Sequence, residues 1–575
     1  MRYLLLFLLF IPGMLAPVPV NDTAVYPKNY FRSPVDFRIL LAGSFGEVRK
    51  NHFHSGIDIR TEGVEGKPVY AIADGYVSRI NISSTGFGNA LYLNHPNGYT
   101  SVYGHLQRYN STIGAWIKAQ QYKKESFEMD IPLEPGVLKV KKGDVIAFTG
   151  NSGASGGPHL HFEIRDAATQ ETINPLLFGF QVKDDVPPVI SAIRIYPADE
   201  NGLVDDRNSA EGFPVAGSDG AYTVKFKDPV TVSGNVYFGI HTWDLINDNS
   251  LKTGITSIEL TIDTTRVFSQ NLQRFAFPET RYVNSMVDYP LLVNSNQTIL
   301  RSYIAPNNNL NVFSKTKNRG IVNFSDKKEH RVTYIVRDIV GNTSKLSFTV
   351  KSVPPVSGSV KKHKTIEGTL FTCRNENKFT NSDLTLVLPK EALYEDLDFH
   401  YSVSPAVKGS FSRVFHLQDE DTPIHTFCTL FIKPERMPKE LSAKALIVKV
   451  DDKGGFSSRG GKWEDGALKT QIREFGNFTV AVDTTPPVIR PVNILPNKNI
   501  KAQGSIQVKV SDNLSGVKYY RGTINGKWIL MSYDLKEHLL KYDCDDHLKP
   551  GKNEFRLLVR DDTGNESVYQ ASLIR

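Results

Sequence analysis

Hydrophobic positions along the first third of the chain alternate with polar ones in short runs. Pro68–Ile80, Asn89–Leu93, Tyr99–Tyr103, Asp144–Thr149 and His159–Arg165 each follow a two-residue period, which predicts half-buried β-strands. Turn pairs such as Asn97-Gly98 and Lys142-Gly143-Asp144 separate them. The His159–Arg165 run sorts into two faces: Leu160, Phe162 and Ile164 toward a core, and His159, His161, Glu163 and Arg165 the other way. One segment breaks the pattern. In Ser111–Phe127, Ile113, Trp116, Ile117 and Gln120 fall at helical spacing, which predicts a short helix.

Beyond residue 185 the alternation continues, punctuated by paired prolines. Asp185-Val186-Pro187-Pro188-Val189-Ile190 returns as Thr485-Pro486-Pro487-Val488-Ile489, with a weaker echo at Val353-Pro354-Pro355-Val356. Paired prolines neither continue a helix nor serve a central strand, so they suit linkers between β units. A second repeat, Val336–Ser344 and Val559–Ser567, reads each time as strand, Gly-Asn turn, strand. The arrangement resembles the immunoglobulin-like domains common in bacterial surface proteins. It predicts three β-sandwich units at 186–352, 353–485 and 486–575, the first two enlarged by insertions. These repeats hold no convincing catalytic set. Asp561-Asp562-Thr563-Gly564-Asn565 echoes a calcium loop but lacks the ligand spacing of a calcium hand, and a hairpin turn explains it better. The fold class expected is therefore all-β: a small antiparallel domain at 28–185, then about three sandwiches.

The bulk numbers fit this division. At about 150 residues per domain, 575 residues predict about four domains. The net charge of +7 is spread along the chain and, with no nucleic-acid motif beside it, is read as solubility charge. Arg2, the apolar run Tyr3–Leu15 and Ala16 have the layout of a secretory signal over 1–20, which predicts a periplasmic, surface or secreted protein. Pro12 and the short run argue against a membrane span, and no later segment is apolar enough for one. Cys373, Cys428 and Cys544 form no disulfide framework; a Cys373–Cys428 pair and two buried free thiols both remain open.

The chemistry concentrates before residue 186. His54-Ser55-Gly56-Ile57-Asp58 offers an imidazole and a carboxylate, both ordinary zinc ligands. Tyr103-Gly104-His105-Leu106 closes a strand, and His159-Leu160-His161 places two imidazoles on one strand face. Each is weak alone. Together they match what a zinc hydrolase needs: three ligands (His54, Asp58, His161), a base for water and a donor for the oxyanion (His105 and His159, roles unassigned). With the flanking text Gly66–Ala71, Ala73–Val77, Gly86–Asn89 and Gly156–Glu163, this stretch resembles the zinc metallopeptidases typified by lysostaphin and LytM, which cleave peptidoglycan. The resemblance implies one Zn2+ per chain on His54, Asp58 and His161, His105 and His159 as non-ligand histidines, an open groove with the metal at its floor, and peptidoglycan as substrate. His52-Phe53-His54 is a second His-x-His, but Gly56 rather than a carboxylate follows His52 by four, so His52 and Asn51 are assigned to the groove wall. The chain departs from that family in the long link between His105 and Lys141, which holds the expected helix. It is either a feature of the groove rim or a surface insertion without a role.

Two other functions compete: a catalytically inactive activator of another wall hydrolase, and a structural surface protein defined by its β repeats, which are candidates for contacting a protein partner. The intact set of histidines favours the enzyme. The bond cut is left open among glycyl bridges, direct cross-links and stem peptides. A fragment of about 28–185 is expected to bind zinc and retain some hydrolysis of soluble muropeptides.

Overall fold

Because side chains of a strand point alternately to its two faces, a run such as Leu160, Phe162, Ile164 buries only if neighbouring strands present their own apolar rows on the same side. The computed structural model, which describes residues 25–226, 229–247, 251–354, 367–435 and 437–575, shows how they do so. An antiparallel sheet runs in the order Leu41–Gly43, Ile57–Arg60, His159–Asp166, Tyr99–Gly104, Asn89–Asn94, Gly75–Ile82, Met129–Pro132. Ile57, Ile59, Leu91, Leu93, Tyr103, Leu160, Phe162 and Ile164 share one buried cluster on its inner face. The expected leader at 1–20 lies outside the described residues.

The expected strand Pro68–Ile80 is two strands. Pro68–Tyr70 belongs to a second, three-stranded sheet with Val145–Phe148 and Arg108–Tyr109, while Gly75–Ile82 joins the large one. The chain turns between them because Ala71 N–H is held by the Asp144 carbonyl and Asp74 accepts from Lys142 N–H. The helix expected near Ser111–Phe127 spans Ser111–Lys124. Asn110 caps it by accepting from Ile113 N–H, Glu125 ends it in the left-handed conformation, and Ile113 and Ile117 bury on the first core.

Three further cores follow, one within residues 190–350, one within 371–480 and one within 494–573. The second of these lies between two five-stranded sheets and the last between a four- and a five-stranded sheet, so both are sandwiches. The chain is predominantly β throughout. Cys373 and Cys428 are buried free thiols in one core, and Cys544 is half-buried and also free.

The 28–185 region does not stand apart from its neighbour. Thr172–Ile173 pairs with Arg274–Phe275, so the first sheet continues into the second region. Phe45 and Phe53 share an apolar cluster with Leu272, Phe275, Tyr282 and Met286, and Phe53 N–H donates to Thr280 Oγ1. The region around Tyr282 in turn meets residues beyond 390: Arg281 donates to the Ile424 and Arg473 carbonyls, and Tyr282 stacks on His425 at 4.2 Å. Lys444 reaches the Thr563 carbonyl in the last region. That last region touches the first. Tyr122 on the helix donates to Asp545 at 2.6 Å and stacks on His547, Lys118 pairs with Asp545, and Glu125 with Arg521.

Candidate metal centre and groove

The register of two strands sets the site. His161 lies directly opposite Asp58 on one side and Gly104 on the other, so the Asp58 and His161 side chains rise from one face. His54, just before the Ile57–Arg60 strand, folds over the same spot. His54 Nε2, Asp58 Oδ1 and His161 Nδ1 converge at mutual distances of 3.0, 2.9 and 3.1 Å. Gly43 makes room for the carboxylate, since a Cβ there would stand 2.6 Å from Asp58 Oδ2.

The outer nitrogens decide what the inner ones offer. His54 Nδ1 is 2.7 Å from the Ser44 carbonyl and His161 Nε2 is 2.9 Å from Glu163 Oε1. A proton on each of those outer nitrogens leaves lone pairs facing inward, beside an ionised carboxylate. Three acceptors then point at one another, an arrangement that calls for a cation. The same demand appears in the proton affinities. Burial opposes a charge on His161, yet hydrogen bonds to Asp58 and Glu163 outweigh it and hold the imidazole up to about 9. Asp58 is pushed up by burial, but hydrogen bonds from His159, His161 and His54 hold it well below the ordinary carboxylate range. The donor set fits zinc: two imidazoles and one carboxylate, at separations close to the ~3.3 Å of tetrahedral ligands bound at about 2.0–2.1 Å.

A second layer fixes this set. Glu163, fully buried, also accepts from Ser55 Oγ and from Arg165 Nε at 2.6 Å; burial pushes its carboxyl up, but Arg165 and His161 outweigh this and keep it at about 2. Arg49 Nη2 lies 3.2 Å from Asp58 Oδ2. Alternation along the His159–Arg165 run already put Glu163 and Arg165 on the histidine face; their burial is what it did not convey.

The two remaining histidines stand beside the centre. His105, with φ of 58°, places Nδ1 2.8 Å from the Ser152 carbonyl, and its ring lies 4.8 Å from that of His159. Burial first, then the neighbouring His161 and His159, lower its pKa to about 3. His159 has acceptors at both nitrogens: the Gly157 carbonyl 2.8 Å from Nδ1 and Asp58 Oδ1 3.4 Å from Nε2. His52 is exposed and joins neither group, and Asn51 accepts from Asn284 of the next region.

The walls come from distant sequence. Phe87 stacks on His161 at 4.8 Å, and Phe277 meets Phe87 edge-on and packs under Arg165. On the other side Lys536 Nζ donates to the Asn151 and Ser155 carbonyls, in the loop that leads to His159. No periodicity or motif in the sequence signalled Phe277 or Lys536.

Residues 52–122 and 136–175 match Peptidase family M23, and residues 368–483 match the Zu5-like domain. An uncharacterized metalloprotease of Haemophilus influenzae is 30% identical over 155 residues, 26% of this chain and 27% of that protein. The DD-carboxypeptidase/endopeptidase Mpg of Neisseria meningitidis is 32% identical over 123 residues, 21% of this chain and 22% of that protein. The chain thus spans about a quarter of the length of these curated relatives. Among solved structures, the catalytic domain of lysostaphin from Staphylococcus simulans is 24% identical, covering 25% of this chain and 93% of that one, with a TM-score of 0.19. The stretch similar to Peptidase family M23, residues 52–122 and 136–175, carries all five histidine and aspartate positions of the centre.

Proposed function

We propose that the chain is a zinc-dependent endopeptidase that hydrolyses peptide bonds of peptidoglycan cross-links or stem peptides in the cell envelope. The observation that carries this reading is the convergence of three lone-pair donors from His54, Asp58 and His161 on one buried point. Zinc held there supplies a Lewis acid and lowers the pKa of water to near neutrality. The chain's own groups do the rest. His105 keeps its Nδ1 against the Ser152 carbonyl and stays neutral, so its Nε2 lone pair is the acceptor for the proton of attacking water. His159, with its Nδ1 against the Gly157 carbonyl, donates from Nε2 to the carbonyl oxygen as charge builds on it. Phe87 and Phe277 line one side of the centre. The substrate class rests on the relatives' names.

The test is metal content together with muropeptide hydrolysis. One zinc per chain, lost together with activity in Asp58→Ala and His161→Ala, is the expected result. Full zinc occupancy in both variants would overturn the ligand assignment, and a zinc-loaded protein inert toward all muropeptides would favour the activator reading.

A further inference from the structure

The paired prolines mark more than linkers. Asp184 stands three residues before Pro187-Pro188, and Asp483 three residues before Pro486-Pro487. Each aspartate is gathered with two others from the unit that follows: Asp184 with Asp244 and Asp338, and Asp483 with Asp512 and Asp561. In each group one ligand atom per residue lies within 4.8 Å of the others.

The two groups are built alike. In each, the valine after the prolines pairs with the residue just before the middle aspartate, Val189 with Trp243 and Val488 with Ser511. In each, an asparagine four residues past the last aspartate bridges it to the first residue's backbone: Asn342 donates to Asp338 Oδ2 and the Asp184 carbonyl, Asn565 to Asp561 Oδ2 and the Asp483 carbonyl. The first aspartate accepts the N–H two residues on, from Val186 in one case and Thr485 in the other. In each, the middle aspartate keeps one oxygen with no hydrogen-bond partner: Oδ1 of Asp244, which is 3% exposed, and Oδ1 of Asp512. Among the described residues no lysine or arginine forms an ion pair with any of the six. Three carboxylates drawn together without a counter-charge, one with a buried orphan oxygen, cost several kcal/mol per uncompensated charge, a cost that a bound cation or a proton relieves.

We propose that each triad is a binding site for a divalent cation, and that the cation is calcium, since the donors are oxygens alone and the flexible six- to eight-oxygen shell of Ca2+ accepts three carboxylates and completes itself with water. Zinc would be drawn to the nitrogen-containing centre instead. Burial and the neighbouring Asp184 and Asp338 charges push the Asp244 carboxyl up to about 8, as expected of an acid gathered for a cation. Each site ties a linker to the unit after it. The first anchors the exit from the first region, and the second anchors the unit that carries Lys536 and Asp545 back to that region. The hairpin reading of Asp561–Asn565 described the local turn; the ligands come from three separated segments.

The experiment uses the zinc-loaded full chain, freed of other metals, titrated with calcium chloride by calorimetry, with melting followed in parallel. Two calcium ions per chain are expected, with Kd between about 1 μM and 1 mM, and a calcium-dependent rise in Tm. Asp244→Asn and Asp512→Asn should each remove one ion, and the double variant both, with the zinc retained. Asp184→Asn, at a half-exposed position, replaces Asp244→Asn should that variant fail to fold. No calcium bound up to 10 mM, or the same stoichiometry in the substituted chains, overturns the proposal. Because zinc content and hydrolysis are read separately, that failure would leave the peptidase reading untouched.

Discussion

At the scale of the residue, the proposed mechanism separates binding from chemistry. Substituting His105 or His159 by Ala removes no converging donor, so each variant should keep its zinc and lose on the order of a hundredfold or more in kcat. Metal analysis beside steady-state rates checks this, and near-normal turnover of His105→Ala would remove that residue from the mechanism. Glu163→Gln tests the layer behind. The amide keeps the shape but loses the charge that orients His161 and pairs with Arg165, so zinc affinity should fall about 10- to 100-fold. Competition with a chromogenic chelator measures it. The pH dependence follows from His105. Its folded pKa of about 3 lies below the 6.5 of the unfolded chain, so its contribution to stability is present above pH 6.5 and is lost as pH falls toward 3. An acid limb of kcat near neutrality therefore reports another group, and His105→Gln should leave the midpoint of any such limb in place. The convergence of His54, Asp58 and His161 was legible because the spacing is local: His-x-x-x-Asp and His-x-His are read within one turn or one strand. Ser44, Ser152 and Gly157 were not, because they act through backbone carbonyls that no side-chain pattern reveals.

At the scale of the element, the Ser111–Lys124 helix is the clearest addition to the groove sheet. Its spacing was readable; what its outer face touches was not. Ile113 and Ile117 hold it to the first core, so Ile117→Ala should cost about 2–5 kcal/mol in a chemical melt, while loss of the Asn110 cap in Asn110→Ala should cost about 1 kcal/mol. The outer face carries Lys118, Tyr122 and Glu125 to Asp545, His547 and Arg521. The expected helix, left open between a rim feature and an insertion without a role, therefore meets the last unit. Strand alternation missed the break at residues 71–74, where an apolar run remained continuous while the backbone left one sheet for another, and the burial of both faces of His159–Asp166.

At the scale of the whole molecule, the apolar cluster of Phe45, Phe53, Leu272, Phe275 and Met286 bears on any truncation. A fragment of 28–185 exposes both phenylalanines and the edge at Thr172–Ile173, so it should melt lower and aggregate more readily than a 28–352 fragment carrying their partners. Scanning calorimetry on the two fragments decides it, and equal Tm values would show the first domain to be self-sufficient. Pairing over such distances is invisible to sequence periodicity, which reports the face a residue shows but not the surface that meets it. The contact of Lys536, Asp545 and Arg521 with the first domain has a mechanical meaning. A string of bodies parts wherever one joint is cut, whereas a hoop stays whole until two are. The last unit gripping the first makes this chain a hoop, so a single engineered nick after residue 352 should leave both halves eluting together. They should separate more easily once Asp545→Ala has also opened the clasp.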